Sequence, residues 1–151
     1  MATEYQSQDW SALTLTKTIL SSPNQTLEFA RKLATTLSSG DIVTLEGDLA
    51  AGKTTFTKGL ALGLGITDTV DSPTFAIIKE YHGKINLYHM DVYRLDGDSD
   101  VEFILEYLDK EGVIVIEWAS IIEADLPKNR LDIKLTRLTG DQREITIVDN
   151  R

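Results

Sequence analysis

Apolar positions along this chain recur with two periods, and the alternation between them predicts an α/β protein. Residues Leu27, Ala30, Ala34 and Leu37 fall on one helical face, a spacing that fits the 3.6-residue turn. The preceding Ser22-Pro23-Asn24-Gln25 reads as an N-cap, a proline at the first helical position and a glutamine at the third, a capping-box start. Gly40 stands where the helix is expected to stop. A second helix is expected over Thr55 to Leu64, ended by Gly63 and Gly65. A third, shorter one is capped by Ser99 with Glu102, turns Val101, Ile104, Leu105 and Leu108 inward, and breaks at Lys110-Glu111-Gly112.

Between these helices the pattern changes to that of strands. Leu13, Leu15 and Lys17 alternate with Thr14, Thr16 and Thr18, which predicts a short edge strand. Ile42 to Leu45 forms a second. Phe75 to Tyr81 and Lys84 to His89 flank His82-Gly83 and predict a hairpin, the competing reading being two unrelated strands joined by a tight loop. The β-branched run Val113 to Ile116 suits a central parallel strand covered on both faces, and it carries Glu117 and Trp118 to its C-terminal edge. Leu131 to Leu138 and Arg143 to Val148 predict a last hairpin around Thr139-Gly140-Asp141-Gln142.

With 151 residues and 42% hydrophobic content, one domain spanning residues 1–151 with one core is expected. There is no cysteine, which excludes disulfides and thiolate metal sites. No apolar run approaches the length of a membrane span, and Glu4 and Asp9 stand where a secretory signal carries positive charge. Cytoplasmic residence is the expectation. A net charge of -9 disfavours unaided nucleic-acid binding, because phosphate contacts supply most of that affinity. Any connection to RNA is expected to run through a partner.

The chemistry is concentrated in Gly47-Asp48-Leu49-Ala50-Ala51-Gly52-Lys53-Thr54, a G-x-x-x-x-G-K-T phosphate-binding loop between a predicted strand and a predicted helix. Loop amides surround the α- and β-phosphates, Lys53 reaches the β- and γ-phosphates, and the Thr54 hydroxyl joins the Mg²⁺ shell. A carboxylate inside such a loop is unfavourable if it faces phosphate, so Asp48 is expected to point outward. Hydrolysis further requires an acidic residue at a strand end. Asp91 and Glu117 both qualify, with a solvated turn carboxylate as the alternative for each. Trp118 either shields the site, stacks on an adenine or a partner, or packs in the core. Arg94 either approaches a γ-phosphate or pairs with an acidic loop, and Thr74, held extended by Pro73, either aims its hydroxyl at Mg²⁺ or closes a turn. His89 and Asp91 share a strand face, but without a third clustered ligand His89 reads as a packed or hydrogen-bonded residue. His82 reads as a turn residue.

Four segments in order, Gly47 to Thr55, Asp71-Ser72-Pro73-Thr74-Phe75, Leu87-Tyr88-His89-Met90-Asp91-Val92-Tyr93-Arg94-Leu95 and Ile116-Glu117-Trp118, resemble the TsaE family, bacterial ATPases of tRNA threonylcarbamoyladenosine biosynthesis. The resemblance covers nearly the whole chain. It implies a small P-loop NTPase of α/β class, with a mostly parallel central sheet, antiparallel additions and flanking helices. It implies slow, Mg²⁺-dependent ATP hydrolysis coupled to the TsaD and TsaB proteins, with tRNA engaged through that complex. Carried onto this sequence, it makes Lys53, Thr54 and Thr55 phosphate and magnesium residues, Thr74 a switch threonine, and Asp91 and Glu117 an essential acidic pair supported by Trp118 and Arg94. Two positions depart from the family pattern: Ala50 replaces a usual glycine, and Ser120 stands where many members have a second glutamate.

Other classes use the same loop. A stand-alone small-molecule kinase is disfavoured by the lack of an arginine-rich lid, since Arg130 and Arg137 follow Arg94 only in or near the last hairpin. A GTP switch is disfavoured because Asn129-Arg130-Leu131-Asp132 only superficially resembles the guanine-reading N-K-x-D. A non-enzymatic scaffold ordered by bound nucleotide is the third alternative.

Overall fold

A computed structural model describes residues 3–4, 15–48, 51–70, 78–94 and 98–151. Eight strands form one sheet: β1 (Thr3–Glu4), β2 (Leu15–Leu20), β3 (Ile42–Glu46), β4 (Ile78–Tyr81), β5 (Leu87–Asp91), β6 (Val113–Glu117), β7 (Leu131–Arg137) and β8 (Arg143–Asp149). Their order across the sheet is β1-β2-β8-β7-β3-β6-β5-β4. The central strands β7, β3, β6 and β5 are parallel. β8 and β2 add antiparallel strands at one side, and β4 adds one at the other. This is an α/β fold with a mixed, mostly parallel centre and flanking helices α1 (Pro23–Ala34), α2 (Lys53–Gly63) and α3 (Asp98–Glu106).

The two faces of the sheet bury separate clusters, which explains why every residue of β6 is buried. Val43, Leu45, Leu87, Val113 and Val115 point to the side covered by α1 and α2, against Phe29, Leu33, Phe56 and Leu60. Ile42, Tyr88, Met90, Ile114 and Ile116 point to the other side, where Ile104 of α3 and Ala119, Ile122 and Leu126 beyond β6 cover them. Each fully buried large side chain contributes about 1.5–3 kcal/mol. Parallel strands covered on both faces need continuous apolar sequence rather than alternation, and β3 and β6 have it.

Helices α1 and α2 approach closely because α2 presents glycine where α1 presents alanine. A Cβ on Gly59 would lie 2.4 Å from the Leu27 carbonyl oxygen and 2.7 Å from the Ala30 Cβ. One on Gly63 would lie 2.4 Å from both the Ala34 Cβ and the Arg31 carbonyl oxygen. This contact fixes the axis of α2, and so the direction in which its first turn points. No described helix is long and apolar enough to cross a membrane.

The elements depart from the sequence reading in instructive places. Ser22 caps α1 as expected, its Oγ accepting from the Gln25 N–H at 3.2 Å. The return arm lands one residue early, since the Gln25 Oε1 accepts from the Ser21 N–H. The helix ends at Ala34, not near Gly40, because the Thr35 and Thr36 hydroxyls donate to the Lys32 and Leu33 carbonyls and compete with further helix. Gly40 instead turns the chain into β3 with φ +97°. Strand β2 continues to Leu20, past the predicted end at Thr18, buries Thr18 and Leu20 and exposes Leu15, and lies between β1 and β8 rather than at the edge; Leu13 and Thr14 lie outside the described residues. The β4–β5 hairpin forms, with a loop over His82 to Asn86. Ser99 lies inside α3 rather than at its cap, and α2 begins at Lys53, two residues earlier than expected.

Candidate nucleotide-binding site

The phosphate-loop motif occupies the β3–α2 junction. β3 ends at Glu46, and Gly47 follows where a Cβ would lie 2.7 Å from the Leu135 carbonyl oxygen. The Ala51 N–H donates to the Asp48 carbonyl at 2.9 Å; Asp48 is exposed, as expected, and Ala51 is buried. Leu49 and Ala50 lie outside the described residues. Gly52, with φ +93° and ψ 22°, is the residue from which α2 starts. That left-handed conformation costs a residue with a Cβ about 1 kcal/mol or more, so the motif's second glycine is a backbone requirement. The first helical bond runs from the Phe56 N–H to the Gly52 carbonyl at 2.9 Å. Lys53, Thr54 and Thr55 therefore form the first turn of α2, where the helix dipole and amide groups favour an anion.

Lys53 is buried, which an ammonium tolerates only with compensation. Its Nζ lies 3.4 Å from the Glu117 Oε1, both side chains being 7% exposed. The same Nζ sits 4.6 Å from the centroid of the Trp118 ring, a cation–π contact. The second carboxylate oxygen of Glu117, Oε2, is 2.6 Å from the Nε2 of His89, which is itself fully buried. Burial pushes the Glu117 carboxyl up, but the His89 hydrogen bond and the charges of His89 and Lys53 outweigh it and hold the carboxyl below its ordinary value. Glu117 is therefore an ionised carboxylate at neutral pH.

Asp91 is the register partner of Glu117 across the parallel β5–β6 pair, and register partners in a sheet project to the same face. Two carboxylates placed this way repel, an arrangement that a cation relieves. The Asp91 Oδ1 accepts from the Tyr93 N–H at 3.0 Å, folding the chain into a short 3₁₀ helix over Val92–Arg94. Tyr93 is exposed and its ring lies 5.0 Å from that of Trp118. Trp118 has φ 61° and ψ 31°, the only non-glycine residue with positive φ among the described residues. Such a conformation costs about 1–3 kcal/mol and tends to occur at functional sites. It turns the chain sharply after β6 and sets the indole between Lys53 and Tyr93.

The described residues contain no cluster of three or more His, Cys, Asp or Glu side chains arranged around a metal. Magnesium at a nucleotide needs none, because one or two carboxylates, a hydroxyl, phosphate oxygens and water complete its octahedron. Thr54, Asp91 and Glu117 supply hard oxygen donors of that kind. Thr74 and Leu95 lie outside the described residues, as does the side chain of Arg94. His82 sits in the β4–β5 loop, its Nδ1 3.3 Å from the Asn86 Oδ1. Ser120 is exposed and its N–H donates to the Glu46 Oε1 at 3.1 Å, which ties the end of β3 to the chain following Trp118. Glu123, near that position, pairs with Arg130 instead.

Residues 20–145 match the family model described as "Threonylcarbamoyl adenosine biosynthesis protein TsaE". The chain belongs to the TsaE family. It is 53% identical over 132 residues to the tRNA threonylcarbamoyladenosine biosynthesis protein TsaE of Bacillus subtilis, covering 85% of this chain and 84% of that one. The protein of the same name from Treponema pallidum is 49% identical over 113 residues, covering 74% and 84% respectively. Among solved structures, the crystal structure of Bacillus subtilis YdiB superposes with a TM-score of 0.79 at 46% identity, over 93% of this chain and 88% of that one.

Of the residues singled out from sequence, the TsaE fold brings Lys53, Glu117 and Trp118 into contact and places Asp91 beside Glu117. The contacts of His89 with Glu117 and of Tyr93 with Trp118 have no counterpart among the sequence expectations. His89 carried a usable signal in its two-residue spacing from Asp91, but its partner depends on the β5–β6 register.

Proposed function

We propose that this chain, as a single P-loop domain over residues 1–151, binds and hydrolyses ATP. In this reading it is the energy-coupled component of tRNA N6-threonylcarbamoyladenosine formation, acting with TsaD and TsaB and meeting tRNA through them. The observation that carries the ATPase reading is the buried Lys53–Glu117 pair at the first turn of α2, 3.4 Å apart, directly after the left-handed Gly52. A buried ammonium opposite a strand-end carboxylate has no packing rationale, and this supports reading Lys53 as the phosphate-side cation and Glu117 as the metal-side anion.

In this reading the amides of residues 47–55, from Gly47, Asp48, Leu49, Ala50, Ala51 and Gly52 to Lys53, Thr54 and Thr55, hold the triphosphate. Lys53 turns from Glu117 to the β- and γ-phosphates. Thr54, Asp91, Glu117 and the switch-type Thr74 are the residues that would hold Mg²⁺, which when bound neutralises charge developing on the phosphates. Asp91 and Glu117 orient the attacking water, and Trp118 shields Lys53 and the phosphates from bulk solvent. Because these acids act mainly in the transition state, Asp91→Ala is predicted to lower kcat more than ATP affinity. Phosphate release and equilibrium ATP binding, measured on one preparation with TsaD and TsaB present, test it; unchanged phosphate release in the folded variant rejects the acidic pair.

A further inference from the structure

We propose that His89 is a positioning residue for hydrolysis, one that fixes the carboxylate of Glu117 after Lys53 has left it. The inference rests on the ATPase reading above and adds a residue to it. Among the described residues Glu117 has two holders, one on each oxygen: Lys53 on Oε1 at 3.4 Å and His89 on Oε2 at 2.6 Å. When Lys53 engages a phosphate, Oε1 is freed and Oε2 keeps its partner. A glutamate at a strand end otherwise has several rotamers open to it, and loss of one fixed direction is costly to a reaction that depends on placement.

The environment of His89 supports a role beyond packing. The residue is fully buried in β5 between Leu87 and Asp91, on the face covered by α2. Its β6 partner is Val115, two register pairs behind the Asp91–Glu117 pair and on the same face, so the imidazole reaches forward along the sheet to the carboxylate. Because that partner is a carboxylate, Nε2 is the nitrogen that donates. Nδ1 has no hydrogen-bond partner among the described residues. Buried polar side chains are ordinarily satisfied, and an apolar residue would fill this position without leaving a polar atom unpaired. Among the described residues the link to Glu117 is the ring's one hydrogen bond, and it points at the reacting centre. Groups that orient a ligating carboxylate typically change activity ten- to hundredfold when lost.

The test compares His89→Leu and His89→Gln with the wild-type chain, measuring ATP-Mg²⁺ affinity and steady-state phosphate release with TsaD and TsaB present. His89→Leu removes the donor; His89→Gln keeps an N–H at a similar reach. The expected result for His89→Leu is a fall in kcat of about tenfold or more with ATP affinity within about threefold of wild type. His89→Gln is expected to recover most of the lost rate. If the leucine variant does not fold, His89→Asn, too short to reach Glu117, takes its place against His89→Gln. A normal kcat in the leucine variant overturns the proposal, as does a glutamine variant no better than it, or a loss of affinity equal to the loss of rate. Wild-type turnover alongside any of these results leaves the ATPase reading standing. A wild-type chain that releases no phosphate overturns that reading and this inference together.

Discussion

Replacing Glu117 by glutamine should weaken the free protein yet tighten its grip on nucleotide in the absence of magnesium. At 3.4 Å and an effective dielectric of about 20, the Lys53–Glu117 attraction is roughly 5 kcal/mol before desolvation is subtracted. Removing one member of a buried pair typically costs about 3–5 kcal/mol. Here Lys53 keeps its contact with the Trp118 ring, worth about 0.5–2 kcal/mol, so the loss in unfolding free energy should be about 1–4 kcal/mol. Urea denaturation without nucleotide measures it. Binding should move the opposite way, because Lys53 gives up less on turning to the phosphates and one negative charge near the triphosphate is gone. Each 1 kcal/mol of weakened free-state pairing appears as about a fivefold gain in affinity. Titration of a fluorescent ATP analogue in excess chelator isolates this term from the lost metal ligand. An unchanged or reduced affinity under those conditions would refute the exchange of Lys53 between Glu117 and phosphate.

Other substitutions probe separate parts of the same account. In the proposed site Lys53→Ala would remove a charge-assisted phosphate contact of about 1.5–3 kcal/mol and should reduce ATP affinity about ten- to hundredfold in a folded protein; calorimetric titration checks the affinity and circular dichroism the fold. Thr74→Ala should weaken ATP-dependent association with the TsaD–TsaB assembly more than it affects the melting temperature, as expected of a residue that senses the γ-phosphate. Calorimetry against that assembly with ATP analogue, ADP and no nucleotide gives the comparison, and equal affinity in all three states excludes a nucleotide switch. Gly59→Ala places a Cβ 2.4 Å from the Leu27 carbonyl oxygen and should destabilise by about 1–3 kcal/mol through overpacking, read from the urea midpoint.

The parts of this fold that sequence revealed are those set locally. The apolar runs of β3 and β6, the Ser22 cap and the glycines around Lys53 each act over a few residues, and each formed close to where it was expected. The end of α1 is not legible in this way: Gly40 reads as a stop, whereas the Thr35 and Thr36 hydroxyls intervene earlier by bonding back to the helix carbonyls. Gly63 was legible as a helix end, but the steric reason that it and Gly59 are glycine lies in α1, more than twenty residues away in sequence. The site divides in the same way. Lys53, Asp91 and Glu117 announce themselves as a loop lysine and strand-end acids, while the bond between His89 and Glu117 depends on a parallel register set by two whole strands. Trp118 was visible as an aromatic beside an acid; its left-handed backbone and its contact with Lys53 follow from the turn after β6.

The central claim is that the Lys53–Glu117 constellation belongs to an ATPase whose turnover is coupled to partner proteins. Its most direct test is steady-state phosphate release at saturating ATP-Mg²⁺ by the wild-type chain alone and with TsaD and TsaB, with Lys53→Ala as the control in both conditions. The account predicts slow release alone, faster release with the partners, and loss of both in the variant. Absence of turnover by folded wild-type protein in either condition, or turnover indifferent to Lys53→Ala, would contradict it.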